Sequence, residues 1–169
     1  MKAIVVYYSF SNGNTKKYAQ KLAELLGADI ERIDTVVPYP PYAGSDSPVV
    51  EQGNREVQEG YCPEIKPLTH NISDYDVVAI GTPTWWYTMA PAMFTFLKSQ
   101  NWNGKTVIPF MTHGGWPGHV IKDIKANCNG AEFMDTMQIQ FDSQGGSELK
   151  TKESDIAAWM ASVKTRLSE

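Results

Sequence analysis

The stretch AIVVYYSFSNGNT, residues 3–15, decides the fold of this chain. Its first half, residues 3–8, is an almost continuous apolar run, which is typical of a strand covered on both faces by helices. Its second half is a polar loop that leads into a helical pattern from Thr15 to Leu26, and Gly27 is well placed to end that helix. A buried strand followed at once by a helix is the repeating unit of parallel sheets.

Strand and helix patterns continue to alternate beyond this stretch. We predict further strands at residues 28–33, 76–81, 105–111 and 132–139, and further helices at residues 120–126 and 153–167. Residues 89–97 are predicted to be helical after their first turn, and the polar stretch of residues 48–59 is the candidate for the one crossover helix that is missing. Crossovers between such strands are right-handed, so helices cover both faces of the sheet. The sequence therefore predicts an α/β three-layer sandwich with a five-stranded parallel sheet, in which residues 1–169 form a single domain.

Composition narrows the classes of function. The net charge is −4 and the basic residues are scattered, whereas a nucleic-acid surface needs a coherent basic patch. No run approaches the roughly 18 apolar residues of a membrane helix, and the N-terminal residues lack a signal-peptide cleavage pattern. Cys62 and Cys128 have no histidine cluster, so no metal site is predicted; we expect two free thiols, although a disulfide stays open. These features predict a cytoplasmic protein without a nucleic-acid or membrane partner.

The loop after the first strand has the chemistry of a phosphate site. Ligands of open parallel sheets bind outside the carboxyl ends of the strands, where the strand order reverses. Five of the seven residues from Ser9 to Thr15 carry hydroxyls or amides, Gly13 permits a sharp turn, and a helix N-terminus follows. Helix capping is the alternative, but it requires only one such residue. The loop holds no Lys or Arg, so neutral donors would bind the phosphate.

This loop resembles the phosphate loop of flavodoxins, Ser/Thr-x-Thr-Gly-Asn-Thr, which wraps the 5′-phosphate of FMN. Residues 13–15 match its end, whereas Phe10 departs from the usual small polar residue. The loop is neither a P-loop nor a dinucleotide fingerprint. The resemblance implies a flavodoxin-like fold of strand order 2-1-3-4-5, with FMN at the switch point between strands one and three. It assigns to FMN the residues Ser9, Phe10, Ser11, Asn12, Gly13, Asn14 and Thr15.

Three consecutive aromatic residues, Trp85, Trp86 and Tyr87, follow the strongest strand pattern. They cannot all enter the core from one short loop, so at least one is expected to contact a flat ligand. The segment resembles the Pro-x-Trp-Trp-x-x-x-x-Pro signature of a flavodoxin subfamily. One tryptophan is expected to pack under a helix and the other to contact the ligand, in an order left open. The cofactor-binding residues predicted here are Pro83, Thr84, Trp85, Trp86 and Tyr87.

The loop after the fourth strand, residues 112–118, reads Thr-His-Gly-Gly-Trp-Pro-Gly. Its glycines permit close approach of the main chain, whose N–H groups would bond the polar edge of the flavin. A glycine-rich turn without a ligand is the alternative, but the Thr-x-Gly-Gly form is similar to the same subfamily. Histidine ordinarily titrates near neutrality, so His113 is a candidate proton donor, although a hydrogen-bonding or packing role is commoner and no catalytic residue is assigned. The predicted cofactor-binding residues are Thr112, His113, Gly114, Gly115 and Gly118.

The resemblance implies an FMN-binding electron-transfer protein whose partners are redox proteins. An FMN-dependent NAD(P)H:quinone-type oxidoreductase of the same fold is the alternative, with a second substrate stacked between Tyr42, Trp86 and Trp116. The short chain without a nicotinamide site favours the carrier, while the modest net charge weakens that preference. Monomer and homodimer both stay open. A signalling receiver domain is rejected, because Ser9 and Thr82 stand where its acidic residues belong.

Overall fold

A computed structural model describes residues 1–169 and places seven strands in one sheet between two layers of helices. The strands are β1 Ala3–Tyr7, β2 Asp29–Arg32, β3 Val77–Trp85, β4 Thr88–Met89, β5 Thr106–His113, β6 Glu132–Phe133 and β7 Met137–Gln140. The helices are α1 Asn14–Leu26, α2 Pro48–Glu59, α3 Pro91–Lys98, α4 Val120–Ala126 and α5 Glu153–Leu167, with a short 3-10 helix at Ile72–Asp74. The structure bears out the predicted bounds of α2, α4 and α5, and α1 starts one residue earlier than predicted.

The sheet has the predicted flavodoxin-like topology. Its order is β2-β1-β3-β5-β6, with β7 also paired to β5, and all of these pairings are parallel. β5 thus holds the fourth position, and β6 and β7 share the fifth. The predicted fifth strand is divided because the chain leaves the sheet between its two halves, where the Asp135 carbonyl accepts a 2.8 Å hydrogen bond from the Trp159 indole N–H of α5.

The third strand is longer than predicted. Residues 82–85, expected in a loop, continue β3 beside β5, in the register Thr82 with Met111 and Pro83 with Thr112. β1 ends its pairing with β3 at Gly81, so Pro83 lies where the strand has lost one neighbour, a position that tolerates proline. The chain then turns back through Trp86 and Tyr87 into β4.

The core explains the unbroken apolar run of β1. Ile4 and Val6 enter the apolar layer under α2, α3 and α4, whereas Val5 and Tyr7 enter the layer under α1 and α5. Successive side chains of a strand point to opposite faces, so a strand between two helical layers must be apolar at every position. No helix of the structure has the length and apolarity that crossing a bilayer demands.

Candidate functional site

Loops from the carboxyl ends of β1, β3, β5 and β7 surround three adjoining cavities, which we call the crevice. The inner cavity of about 150 Å³ is lined mainly by polar residues, including Ser11, Asn14, Thr15, Thr112 and His113. The middle and outer cavities, of about 190 and 390 Å³, share the lining residues Tyr42, Val50, Thr84, Trp85 and Trp86. The crevice therefore has a polar end and an aromatic end.

The main chain of the first loop presents a row of N–H donors. No N–H group of residues 10–15 donates to a protein acceptor; the next one, of Lys16, donates to Ser9 Oγ at 3.2 Å. Ser11 and Gly13 both have left-handed backbone angles, with φ of 53° and 71°. Successive N–H groups in such a turn, ahead of a helix N-terminus, form a concave site for an anion.

Three side chains of this loop make hydrogen bonds within the protein. The Asn12 and Asn14 amides donate to the main-chain oxygens of Gly145 and Gly146, the latter at 3.0 Å. The Thr15 hydroxyl shares a 2.8 Å hydrogen bond with the Thr112 hydroxyl. The main-chain N–H groups of residues 10–15 and the Ser11 hydroxyl make no hydrogen bond within the protein and are therefore donors available to a ligand.

A fourth loop, residues 142–148, closes the polar end of the crevice and was missed in the sequence. Gly145 lines the middle and inner cavities, and Asp142 and Gly146 line the inner one. A Ser-Gln-Gly-Gly segment is typical of any surface turn, so its composition alone carries no sign of a site. Its position after the last strand of the sheet was the available signal.

The two tryptophans occupy different environments. Trp85 is only 8% exposed, and its ring lies 4.9 Å from that of Tyr39 and 5.6 Å from that of Phe10, centroid to centroid. Trp86 is half-buried, packs against α2 and lines both the middle and the outer cavity. Trp86 is thus the more available of the two for a flat ligand.

The turn that carries Trp86 is strained and held from behind. Trp86 and Tyr87 have φ values of 46° and 68°, in a hairpin turn that usually takes Asn-Gly. Gly118 packs on the Tyr87 main chain so closely that a Cβ would lie 2.1 Å from the carbonyl oxygen, which also accepts a 2.7 Å bond from the His119 N–H. Strain of this kind in bulky residues clusters at binding sites. Gly118 thus supports the turn rather than facing the crevice.

His113 occupies the polar end as a neutral ring. Its Nδ1 accepts a 3.0 Å hydrogen bond from the Gly115 N–H, and burial lowers its pKa below the ordinary 6.5. The ring proton of neutral His113 then resides on Nε2. Gly115 therefore donates its main-chain N–H to the histidine in this structure. Gly114 lines the inner and outer cavities.

The donor set and the walls fit FMN. The row of N–H groups suits a phosphate, and the aromatic end suits a tricyclic ring. Pro83 and Thr112 line the inner cavity, and Thr84 lines all three cavities. Asp142 is the one lining residue of the crevice with a formal charge, and three main-chain N–H groups bond its carboxylate.

Known proteins share this architecture. A family model described as flavodoxin matches residues 2–163. A protein of Bacteroides eggerthii DSM 20697, described as a flavoprotein, has 28% identity and a TM-score of 0.75 over 96% of this chain and 97% of that chain. A flavoprotein of Lactobacillus acidophilus NCFM, solved in complex with FMN, shares the fold at 20% identity, with a TM-score of 0.67 over 94% of this chain and 97% of that one. The comparison with curated proteins finds no match.

Proposed function

Because the chain belongs to the flavodoxin family, we propose that it binds FMN in the crevice and carries electrons between redox protein partners. The row of unpaired N–H groups at residues 10–15, beside the aromatic end of the crevice, carries this proposal. When bound, FMN supplies the redox chemistry, while the protein supplies binding, orientation and electrostatics. The FMN complex of the structurally similar Lactobacillus acidophilus flavoprotein supports the choice of cofactor.

Different groups of the protein bind the phosphate and the ring of FMN. The N–H groups of residues 10–15 and the Ser11 hydroxyl hold the phosphate. Trp86 supports one face of the ring and is itself supported by α2. His113 holds a proton on Nε2 at the polar end, where it donates to a polar edge of the ligand. The aromatic cluster of buried Trp85 and half-buried Tyr39 and Phe10 limits the access of water beneath the site.

A titration with FMN, riboflavin and FAD tests the proposal. We expect FMN to bind with shifted absorption bands and quenched fluorescence, and riboflavin to bind at least about 30-fold more weakly, because it lacks the charged group that several N–H donors hold. FAD is expected to leave the spectrum unchanged. The Asn14→Ala, Thr15→Ala double variant should weaken FMN binding severely, since it removes the hydrogen bonds that hold the end of the loop to Gly146 and Thr112. Equal affinity of the wild type for FMN and riboflavin would reject the phosphate site.

The outer cavity favours a second candidate, an FMN-dependent NAD(P)H:quinone-type reductase. This cavity of about 390 Å³ is flanked by exposed rings of Tyr42, Tyr87 and Trp116, which are 40%, 56% and 59% exposed. Neutral aromatic walls suit a flat apolar substrate. Stopped-flow mixing of the FMN-loaded protein with NADH or NADPH distinguishes the carrier from the reductase. Fast direct reduction rejects a pure carrier, and reduction no faster than that of free FMN supports a carrier.

A further inference from the structure

We propose that Asp142 is a positioning residue that shapes the phosphate end of the crevice, and through it the preference for FMN over riboflavin. The inference rests on the proposed function, because it concerns the same site. Asp142 acts from the loop of residues 142–148, 127 or more positions away from the phosphate loop in the sequence. Its carboxylate makes no hydrogen bond to Asn12 or Asn14, so its effect is transmitted through the main chain of its own loop.

The carboxylate of Asp142 organises its own loop. Oδ1 accepts hydrogen bonds from the N–H groups of Gln144 at 3.1 Å and Gly146 at 2.9 Å, and Oδ2 accepts one from Glu148 at 2.9 Å. These bonds lower the pKa of Asp142 below its ordinary 3.8. The fit is close, since a Cβ on Gly146 would lie 2.5 Å from Oδ2. One side chain thus fixes the course of the main chain through Gly145 and Gly146.

The carbonyl groups fixed in this way hold the phosphate loop. Gly145 O accepts from the Asn12 amide, and Gly146 O accepts from the Asn14 amide at 3.0 Å. Asn12 and Asn14 flank Gly13, the residue with φ of 71° at the start of α1. Holding both amides stabilises the turn in which the N–H groups point to one concavity. Asp142 therefore acts on the phosphate indirectly: it holds the loop of residues 142–148, and that loop holds the phosphate loop.

The negative charge of Asp142 allows a positioning role to be distinguished from an electrostatic role. An ionised carboxylate beside a dianion would repel it, so a purely electrostatic role predicts tighter FMN binding when the charge is removed. In the structure, three main-chain N–H groups of its own loop donate to the carboxylate, and these donors partly offset its negative charge. A positioning role predicts weaker FMN binding when the carboxylate is removed. The two effects have opposite signs, so an affinity measurement decides between them.

Riboflavin distinguishes a local role from a general loss of structure. It carries the same ring and ribityl chain as FMN but no phosphate, so it does not use the N–H groups of residues 10–15. A variant that disturbs only the phosphate end should lower FMN affinity and leave riboflavin affinity intact. A variant that disturbs the whole crevice should lower both.

The experiment measures dissociation constants of FMN and riboflavin, by flavin fluorescence, for the wild type, Asp142→Ala and Glu148→Gln. Glu148→Gln is the matched control, because this substitution also removes one negative charge from the loop. The Glu148 side chain bonds only to the exposed Lys150. We expect Asp142→Ala to weaken FMN binding about tenfold, from the loss of charge-assisted bonds that hold the loop. Riboflavin binding should stay within about twofold, and Glu148→Gln should match the wild type in both.

A second variant keeps the test independent of Asp142 itself. Gly146→Ala places a methyl group against Oδ2 without changing any charge, and it should lower FMN affinity in the same selective way. Equal FMN affinity of Asp142→Ala and wild type, tighter binding by both charge-removing variants, or equal losses for FMN and riboflavin would each overturn the inference. A wild type that binds neither flavin would instead reject the proposed function, and this inference with it.

Discussion

The indole of Trp86 lies on the main chain of α2 at Gly53, so closely that a Cβ at residue 53 would be 2.6 Å from the ring atom Cζ3. Gly53 stands in the middle of α2, where glycine costs about 1 kcal/mol relative to alanine. The close approach of the ring accounts for a glycine at this position. The helix thus supports the aromatic wall of the crevice, and Gly53 becomes part of the site without touching the ligand.

Replacing Gly53 by alanine should weaken flavin binding. The new methyl group must displace Trp86 towards the crevice, so we expect the affinities for FMN and riboflavin to fall together by about tenfold, as when a well-packed side chain is forced from its position. Near-ultraviolet circular dichroism should report the moved indole. Gln58→Ala, at an exposed position of the same helix, is the control. Unchanged affinity and an unchanged aromatic spectrum in Gly53→Ala would contradict the packing described.

The hydrogen bond between Tyr39 and Glu56 should stabilise the fold beneath the crevice. The Tyr39 hydroxyl donates at 2.6 Å to the Glu56 carboxylate, which is 6% exposed and also accepts from Gln52. Tyr39→Phe leaves this buried acceptor with fewer partners, so we expect a loss of about 1–3 kcal/mol in the free energy of unfolding. Urea denaturation measures it. Tyr61→Phe, at an exposed ring, should be neutral, and a neutral Tyr39→Phe would show that Glu56 finds water instead.

His113 should make stability depend on pH in a defined direction. Burial lowers its pKa in the folded protein below the 6.5 of the unfolded chain, so the unfolded state binds more protons between these two values. The stabilising contribution is therefore complete above pH 6.5 and is lost as the pH falls towards the folded pKa. We expect the free energy of unfolding, measured by urea denaturation, to fall less between pH 7.5 and 5.5 in His113→Gln than in the wild type. Identical slopes would contradict the assignment.

The hydroxyl pair of Thr15 and Thr112 should couple α1 to β5. Both side chains are buried, at 1% and 4% exposure, and their oxygens are 2.8 Å apart. Each single change to valine leaves one buried hydroxyl without its partner and should cost about 1–2 kcal/mol, whereas the double variant should cost less than the sum. Unfolding free energies of the four proteins complete this cycle. Strict additivity would mean that the two hydroxyls do not depend on each other.

Periodicity predicted the parts of the fold that local sequence controls. The bounds of α4 and α5 follow from the helical pattern of their residues, whereas α2 was predicted from a polar stretch at the place where a crossover helix was missing. The extension of β3 to Trp85 was not predicted, because Pro83 and its threonine neighbours suggest a loop when only the local pattern is considered. The extension depends on pairing with β5, because the β5 residues that pair with Thr82 and Pro83 lie about 29 positions later in the sequence.

The site was predictable where it depends on loop composition and unpredictable where it depends on long-range contacts. The polar loop after β1 lies at the crevice as expected, but its asparagine amides bond carbonyl groups more than 130 residues away. The turn at Trp86 and Tyr87 contains no glycine, so its left-handed backbone left no local sign. Gly53 and Asp142 likewise act through residues distant in sequence, and only the assembled fold reveals their part.

A crystal structure of the protein grown with excess FMN tests the central claim most directly. The account predicts the phosphate oxygens within about 3.2 Å of main-chain nitrogens of residues 10–15, and the ring against Trp86. A phosphate held by the lysines of α1 instead, or an empty crevice filled by its own indoles, would contradict it.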